Sequence, residues 1–252
     1  MRTCKNKISV VTITKNEETS IGDCIAVCSQ FSDDIIVIDS QSTDQTIQIA
    51  ESAGAKAFVK VWEGYGNAKN YGASLVKYDW ILCVDADERP DEEMISSLCE
   101  IDLNKNTIYG FNRLNYVGNV PVRHGDWNPD VKFRLYHKEV TSWSKNSVHE
   151  NLMFERWHSR SVLPGTMKHY SYRNLNDLKL RLNHYAMLSA QEMHSNGESP
   201  GILSKIKPWF KFFRSYYLKG GFKDGKLGYA IAKHNAEAQR MKYNYLNKLL
   251  NN

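Results

Sequence analysis

Asp85 and Asp87 close the apolar run Trp80-Ile81-Leu82-Cys83-Val84, with one residue between them. Two carboxylates held that near repel each other unless a proton or a cation lies between them. Residues two apart in a strand share a face, so both are expected to point the same way where the chain leaves a sheet. A divalent cation of the Mg2+ or Mn2+ kind, bound through oxygen and keeping positions for water or a diphosphate, is the natural occupant. The same stretch also reads as a helix start. Asp87 and Glu88 precede Pro90 and Asp91-Glu92-Glu93, and acidic residues suit the positive end of a helix. Asp-x-Asp triplets are common, so both readings stand at this point. Arg134 is a second marker, because it interrupts the strand-like run Phe133-Arg-Leu-Tyr136. A charge there needs a partner, either a phosphate or a buried carboxylate. Gly64-Tyr65-Gly66 lacks the third glycine of a dinucleotide fingerprint and follows a third strand instead of a first, which argues against a Rossmann cofactor site.

The elements that would position these groups alternate. Residues 7–13 read as a buried strand ending in Thr14-Lys15-Asn16-Glu17, and 18–30 as a helix with Ile21, Ile25 and Cys28 on one face. A second strand, 34–38, ends in Asp39-Ser40. A helix over 44–53 follows, with Ser42 or Thr43 as its cap and Gly54 just past its end. Residues 57–61 form a third strand before a helix starting near Asn67, and 80–84 form the fourth. Such alternation predicts an α/β fold, a mostly parallel sheet flanked by helices. Ligands bind such sheets beyond the carboxyl ends of the strands. Here those ends carry Thr14, Asn16, Glu17, Asp39, Asp85 and Asp87.

Of the 252 residues 42% are hydrophobic and 24% charged, which excludes a disordered chain. No apolar run is long enough for a transmembrane helix or a signal-peptide core, so a cytoplasmic location is expected. The five cysteines form no zinc spacing, and an odd count predicts reduced thiols. The net charge of +5 hides an asymmetry. Residues 1–150 hold 16 Lys+Arg against 22 Asp+Glu, a balance of −6, and residues 151–252 hold 17 against 6, a balance of +11. A basic C-terminal part points to phosphate, an anionic membrane or nucleic acid.

In order and spacing, Thr-Lys-Asn-Glu-Glu from Thr14, Ile-Val-Ile-Asp-Ser-x-Ser-Thr-Asp ending at Asp44, Gly-Tyr-Gly-Asn-Ala-Lys-Asn from Gly64 and Asp-Ala-Asp-Glu from Asp85 resemble the inverting family 2 nucleotide-sugar glycosyltransferases of GT-A fold. The subgroup most similar is that of the lipopolysaccharide inner-core β-1,4-glucosyltransferases. Trp127-Asn-Pro-Asp130, Phe133-Arg-Leu-Tyr136, Val148-His-Glu150 and His169-Tyr-Ser-Tyr172 extend the resemblance over most of the chain.

The resemblance implies a UDP-sugar donor, with Asp39 accepting from the uracil imide and Thr14, Asn16 and Glu17 lining base and ribose. Lys69 would meet the nucleotide or its diphosphate, and Arg134 a phosphate. Asp87 would hold the Mn2+ or Mg2+, with Asp85 through water or ribose. Read from the residues alone, His149 or His169 could ligate the metal, touch phosphate or fix a loop. Glu150 is the candidate base, with Asp126 and Asp130 as alternatives. The family usually places an Asp after a Glu there, so His149-Glu150 departs from its pattern. Residues 1–172 would form the catalytic domain, with 1–100 handling the nucleotide sugar and 101–172 the acceptor, and 173–252 a helical basic region. The acceptor implied is a membrane-anchored glycolipid such as lipopolysaccharide inner core. Capsule, lipid-linked oligosaccharide and protein acceptors stay open, as does homo-oligomerisation.

Past Asn174 three helices are expected, 175–195, 202–219 and 225–250. The middle one interleaves Trp209, Phe210, Phe212, Phe213, Tyr216 and Tyr217 with five cations, a composition for lying on an anionic membrane surface from the cytoplasmic side. Packing on the catalytic domain or across a dimer is the alternative. Nucleic acid is not expected, since no other motif for it is present. Two rival functions remain. A nucleotidyltransferase would use the same sheet and aspartates but release pyrophosphate. A non-enzymatic binding module would leave Asp39, Asp85 and Asp87 without a purpose.

Overall fold

The computed structural model describes residues 3–144, 151–153 and 155–251. In chain order the elements are β1 (Ile8–Thr14), α1 (Ile21–Cys28), β2 (Ile35–Asp39), α2 (Thr46–Ser52), β3 (Lys56–Val59), α3 (Tyr65–Leu75), β4 (Trp80–Asp85), β5 (Glu88–Pro90) and α4 (Glu92–Glu100). They continue as β6 (Thr107–Val117), β7 (Val120–Pro121), β8 (Val131–His137), β9 (Ser159–Tyr172), α5 (Leu175–Ser195), α6 (Lys207–Phe213) and α7 (Gly225–Leu250). The chain divides into two compact units, Met1–Arg113 with Val131–His169, and Leu114–Asp130 with Tyr170–Asn252. β6 and β9 each run on from the first unit into the second.

In the first unit β1 is buried at every position, as the central strand of a sheet covered on both faces must be. Ile8 and Val10 join Ile25, Leu82, Val84, Ile95 and Leu98 in one core. Val11 and Ile13, turned the other way, join Ile36, Ile38, Ile81, Cys83 and Ala68 in a second. The period of two along each strand thus builds both layers, with α1 and α4 on one side and α3 on the other. A Cβ at Gly72 would lie 2.5 Å from Val11 Cγ1 and 3.1 Å from Ile38 Cγ1, so glycine is what lets α3 settle on β1 and β2.

The strand order is β3-β2-β1-β4-β8-β6-β9-β5. β3, β2, β1 and β4 are mutually parallel, the product of the alternating first hundred residues. From β4 outward the pairings of β8, β6 and β5 are antiparallel; β6 and β8 follow one another with no α-helix between them. The reading of the cysteines as reduced thiols fails for one pair. Cys4 and Cys99 form a disulfide, drawn together where Lys5 N donates to Cys99 O at the end of α4. Cys24, Cys28 and Cys83 are free and buried.

In the second unit Val117 and Val122 pack with Leu178 of α5 and Ile231 of α7, and Trp127 stacks on Tyr172 at 5.4 Å. Asp224 fastens residues 123–124 to the start of α7: its Oδ2 accepts from Arg123 N and His124 N, and its Oδ1 meets His124 Nδ1 at 2.7 Å. The segment expected as one helix over 202–219 is three pieces, a 3-10 turn at Ile202–Lys205, α6, and a π turn at Arg214–Leu218. Pro208 lies in the first turn of α6. It has no N–H to donate, so a hydrogen-bonded ladder restarts there instead of running through. Among the described residues no helix is long and apolar enough to cross a membrane.

Candidate active site

The parallel strands β1, β2 and β4 end side by side, with Thr14 in register with Asp39 and Ile13 with Asp85. Thr14 is buried and its Oγ1 has no hydrogen-bond partner among the described residues. The loops after β1 and β2 are laced together by Ser42, which sequence reasoning had only as a helix cap. Its N–H and hydroxyl donate to the Asp39 carboxylate, and its Oγ accepts from Asn16 N at 2.8 Å. Asn16 Oδ1 in turn accepts from Thr43 N at 2.9 Å, and Glu17 N donates to Thr46 Oγ1. Asn16 and Gln41 take left-handed backbone, with φ of 54° and 58°. Non-glycine residues hold that conformation only where surrounding bonds over-determine it, and the Ser42 network supplies them. Asp39 is fully buried, and each of its oxygens retains a lone pair after Ser42 is served.

Beyond β4 the strand geometry expected for Asp85 and Asp87 ends early. β4 stops at Asp85, and Ala86-Asp87 form a tight turn into β5, so the alternation of a strand does not carry to Asp87. The two carboxylates have different partners. Asp85 Oδ2 lies 2.9 Å from Arg134 Nη2, and Glu88 Oε2 lies 3.5 Å from Arg134 Nη1. Glu88, 1% exposed, also accepts from Asp85 N at 3.0 Å and meets Arg113 at 3.4 Å. Burial pushes the Asp85 carboxyl up, but Arg134, with Lys69 and His169 behind it, more than offsets this and holds it well below the usual carboxylate range. Burial likewise disfavours the Arg134 charge, and Asp85 and Glu88 overcome it. A buried carboxylate, one of the two partners the sequence offered Arg134, is present.

Asp87 faces His169, with Oδ2 and Nε2 3.3 Å apart. The register of β5 on β9 sets this meeting, since Glu88 is paired with His169 across 81 residues of chain. A carboxylate oxygen and an imidazole nitrogen at that separation fit adjacent corners of an octahedral ion, which for bonds of about 2.1 Å are about 3 Å apart. The carboxylate oxygen suits Mn2+ or Mg2+, whereas the imidazole is a softer donor that favours Mn2+ over Mg2+. Among the described residues no group of three or more such ligands is present.

Lys69, 1% exposed in α3, lies with its Nζ 4.3 Å from the centre of the Trp143 ring. Asn70 fixes that segment by bonding both Trp143 N and Trp143 O. Glu150 and His149 lie outside the described residues. Asp126 and Asp130, the alternative bases, belong to the second unit. There Asp126 Oδ1 is held by Arg214 at 2.8 Å and Lys219 at 3.0 Å. Glu88 and Arg113 are the site residues that sequence reasoning missed. The signal available for Glu88 was its place directly after the aspartate pair; for Arg113 there was none.

A parallel sheet with acidic and basic groups gathered past its carboxyl edge, extended by antiparallel strands that return a histidine to the aspartate turn, is a GT-A architecture. Residues 9–171 match the glycosyl transferase family 2, and the chain belongs to that family. An uncharacterised glycosyltransferase of Rickettsia bellii is 31% identical over 249 residues, covering 90% of this chain and 83% of the relative. The lipopolysaccharide core biosynthesis glycosyltransferase LpsC of Rhizobium meliloti is 26% identical over 90% of this chain and 87% of its own. Among solved structures, glucosyl-3-phosphoglycerate synthase of Mycobacterium tuberculosis with Mg2+ and UDP overlaps 44% of each chain at 24% identity, with a TM-score of 0.36.

Proposed function

We propose that this glycosyltransferase moves a hexose, glucose first among the candidates, from a UDP-sugar to a membrane-anchored glycolipid, with inversion at the anomeric carbon. The observation that carries the reading is the 3.3 Å approach of His169 to Asp87 at the carboxyl edge of strands that also present Asp39. Similarity to the lipopolysaccharide core enzyme of Rhizobium meliloti supports the acceptor class.

In this reading Asp39 accepts from the uracil N3–H, a donor that neither cytosine nor adenine offers at that place. Thr14, Asn16 and Glu17 line base and ribose, and the buried Thr14 hydroxyl gains the partner it lacks. Asp87 and His169 would hold a divalent cation, which when bound neutralises charge on the departing diphosphate. Arg134 and Glu88 act by position: they fix Asp85 and the backbone that turns Asp87 toward His169. Lys69 adds positive charge at the diphosphate. Inversion is a single displacement. The acceptor hydroxyl gives its proton to a carboxylate, Glu150 in this assignment, as its oxygen bonds to the anomeric carbon and the bond to the β-phosphate oxygen breaks, releasing UDP.

Calorimetry of UDP binding with Mn2+, repeated with chelator, tests the donor site. Binding that chelator abolishes is expected, and Asp87→Asn should weaken it and lower turnover on the order of 100-fold. Failure of UDP to bind in either condition overturns the donor assignment, and release of pyrophosphate from a nucleoside triphosphate would place the reaction at phosphorus instead of a sugar carbon.

A further inference from the structure

Along 202–218 the apolar side chains divide between two faces. Phe212 and Tyr216 turn inward: Phe212 stacks on Tyr216 at 5.5 Å and meets Tyr229 of α7 edge-on at 5.8 Å, and Tyr216 meets Phe222 at 6.3 Å. Ile202, Ile206, Trp209, Phe213 and Tyr217 stay outside, Ile202 97% and Trp209 79% exposed. Trp209, Phe213 and Tyr217 recur every four residues along α6 and the π turn, and Ile202 opens and Ile206 follows the 3-10 turn just before them. A continuous apolar patch of this kind is uncommon on a soluble surface and marks an interaction.

A cleft of about 400 Å³ adjoins the stripe, with Trp209, Phe212 and Tyr229 among its walls and Lys205, Lys233 and Arg240 around it. All three cations are exposed, and among the described residues none is paired with a carboxylate. Glu237 also lines the cleft, its carboxylate 3.0 Å from His234 Nδ1, so three cations stand against one carboxylate. Elsewhere in the unit Arg214 and Lys219 are committed to Asp126. The cleft therefore collects unneutralised positive charge beside aromatic and aliphatic surface.

We infer that this stripe and cleft dock the protein on an anionic lipid surface. A headgroup phosphate is held by Lys205, Lys233 and Arg240 against Trp209, and Ile202, Ile206 and Phe213 enter the acyl boundary. Charge selects this occupant. A second copy would bring the same basic half, with a balance of +11 over residues 151–252, against itself. Single-stranded nucleic acid would use the cations and the rings but leave Ile202 and Ile206 in water. An anionic bilayer uses all of them. The docking does not depend on which donor the enzyme uses, and its test reads binding alone, so its failure leaves the donor assignment where it stood.

The full chain is sedimented with phosphatidylcholine vesicles with and without phosphatidylglycerol. Binding is expected with phosphatidylglycerol only. Lys233→Gln with Arg240→Gln should reduce partition about 30-fold, the weight of two cations near an anionic surface. Trp209→Ala with Phe213→Ala should reduce it on the order of 100-fold through lost apolar insertion. All four side chains are exposed, so an unchanged urea midpoint is expected as the folding control. Equal binding to both vesicle types, or full binding by the Lys233, Arg240 variant, overturns the inference. Tighter retention of a single-stranded oligonucleotide than of vesicles overturns it too, as does a dimer in solution that the Trp209, Phe213 variant dissolves.

Discussion

Replacing Arg134 by Met removes the cation between Asp85 and Glu88 and keeps only the aliphatic stem of the side chain. Arg134 is 8% exposed and Glu88 1%, so two carboxylates are left facing each other inside the protein. Removing one partner of a buried ion pair costs about 3–5 kcal/mol, because the remaining charge is stranded. Two features place this case at the lower end. The Asp85 side chain retains 28% exposure, and Glu88 keeps Arg113 at 3.4 Å. The expected loss is about 3 kcal/mol, which in a chain of this size lowers the melting temperature by about 6–12 °C. Urea denaturation of metal-free protein at neutral pH measures it. Glu88→Gln removes the repulsion while leaving an oxygen for Asp85 N–H, so in the Arg134→Met background it should cost less than in the wild type. The double-mutant cycle should return a coupling of about 1–3 kcal/mol. Arg134→Lys keeps the charge but not the fork that spans both carboxylates, and should recover only part of the loss. A loss below about 1 kcal/mol, or strictly additive variants, would refute the claim that Arg134 holds the aspartate turn together.

Two further outcomes concern the scaffold. Asp34 is fully buried and accepts from Ser9 Oγ at 2.6 Å, Lys77 N at 2.7 Å and Lys56 Nζ at 2.9 Å. Burial pushes its carboxyl up, and the bonds from Ser9, Lys77 and Lys56 outweigh that, so its folded-state value is depressed. Its stabilisation is therefore complete above the unfolded value, near pH 4, and is lost as pH falls through the folded one. Asp34→Asn should destabilise by about 2 kcal/mol at pH 7 and flatten the acid limb of a stability–pH profile; an unaltered limb would count against the assignment. Asp91 Oδ1 accepts from Met94 N at 2.9 Å, capping α4, and from Thr166 N at 3.0 Å in β9. Asp91→Ala should cost about 2 kcal/mol in urea denaturation, and Asp91→Ser should restore about half by keeping the cap. Equal losses in the two variants would remove the cap from the explanation.

The acidic run after β4 serves two structural ends. Asp91 caps α4, as the helix-start reading requires, while Asp87 four residues earlier occupies the turn that meets His169. Arg134 was legible as a charge needing a partner, because an arginine inside an apolar strand has no inexpensive alternative. Its choice of carboxylates was not legible, because β8 joins β4 antiparallel, with Leu82 opposite Leu135, a register no local pattern announces. Segment 202–219 was legible as aromatic and basic. Which rings turn inward depended on α7, whose Tyr229 receives Phe212 and Tyr216.

The sequence alone determined the alternating elements of the first hundred residues, the parallel order they impose and the family to which the chain belongs. Burial on both faces writes continuous apolar runs, and polar residues gather where those runs end; both are local in the chain. The site's second half was decided by tertiary structure. His169 reaches Asp87, Arg113 and Arg134 converge on Glu88, and Ser42 ties Asn16 to Asp39. These contacts join residues up to 82 positions apart. They are set by antiparallel register and by the desolvation that leaves a buried charge no partner but another buried charge.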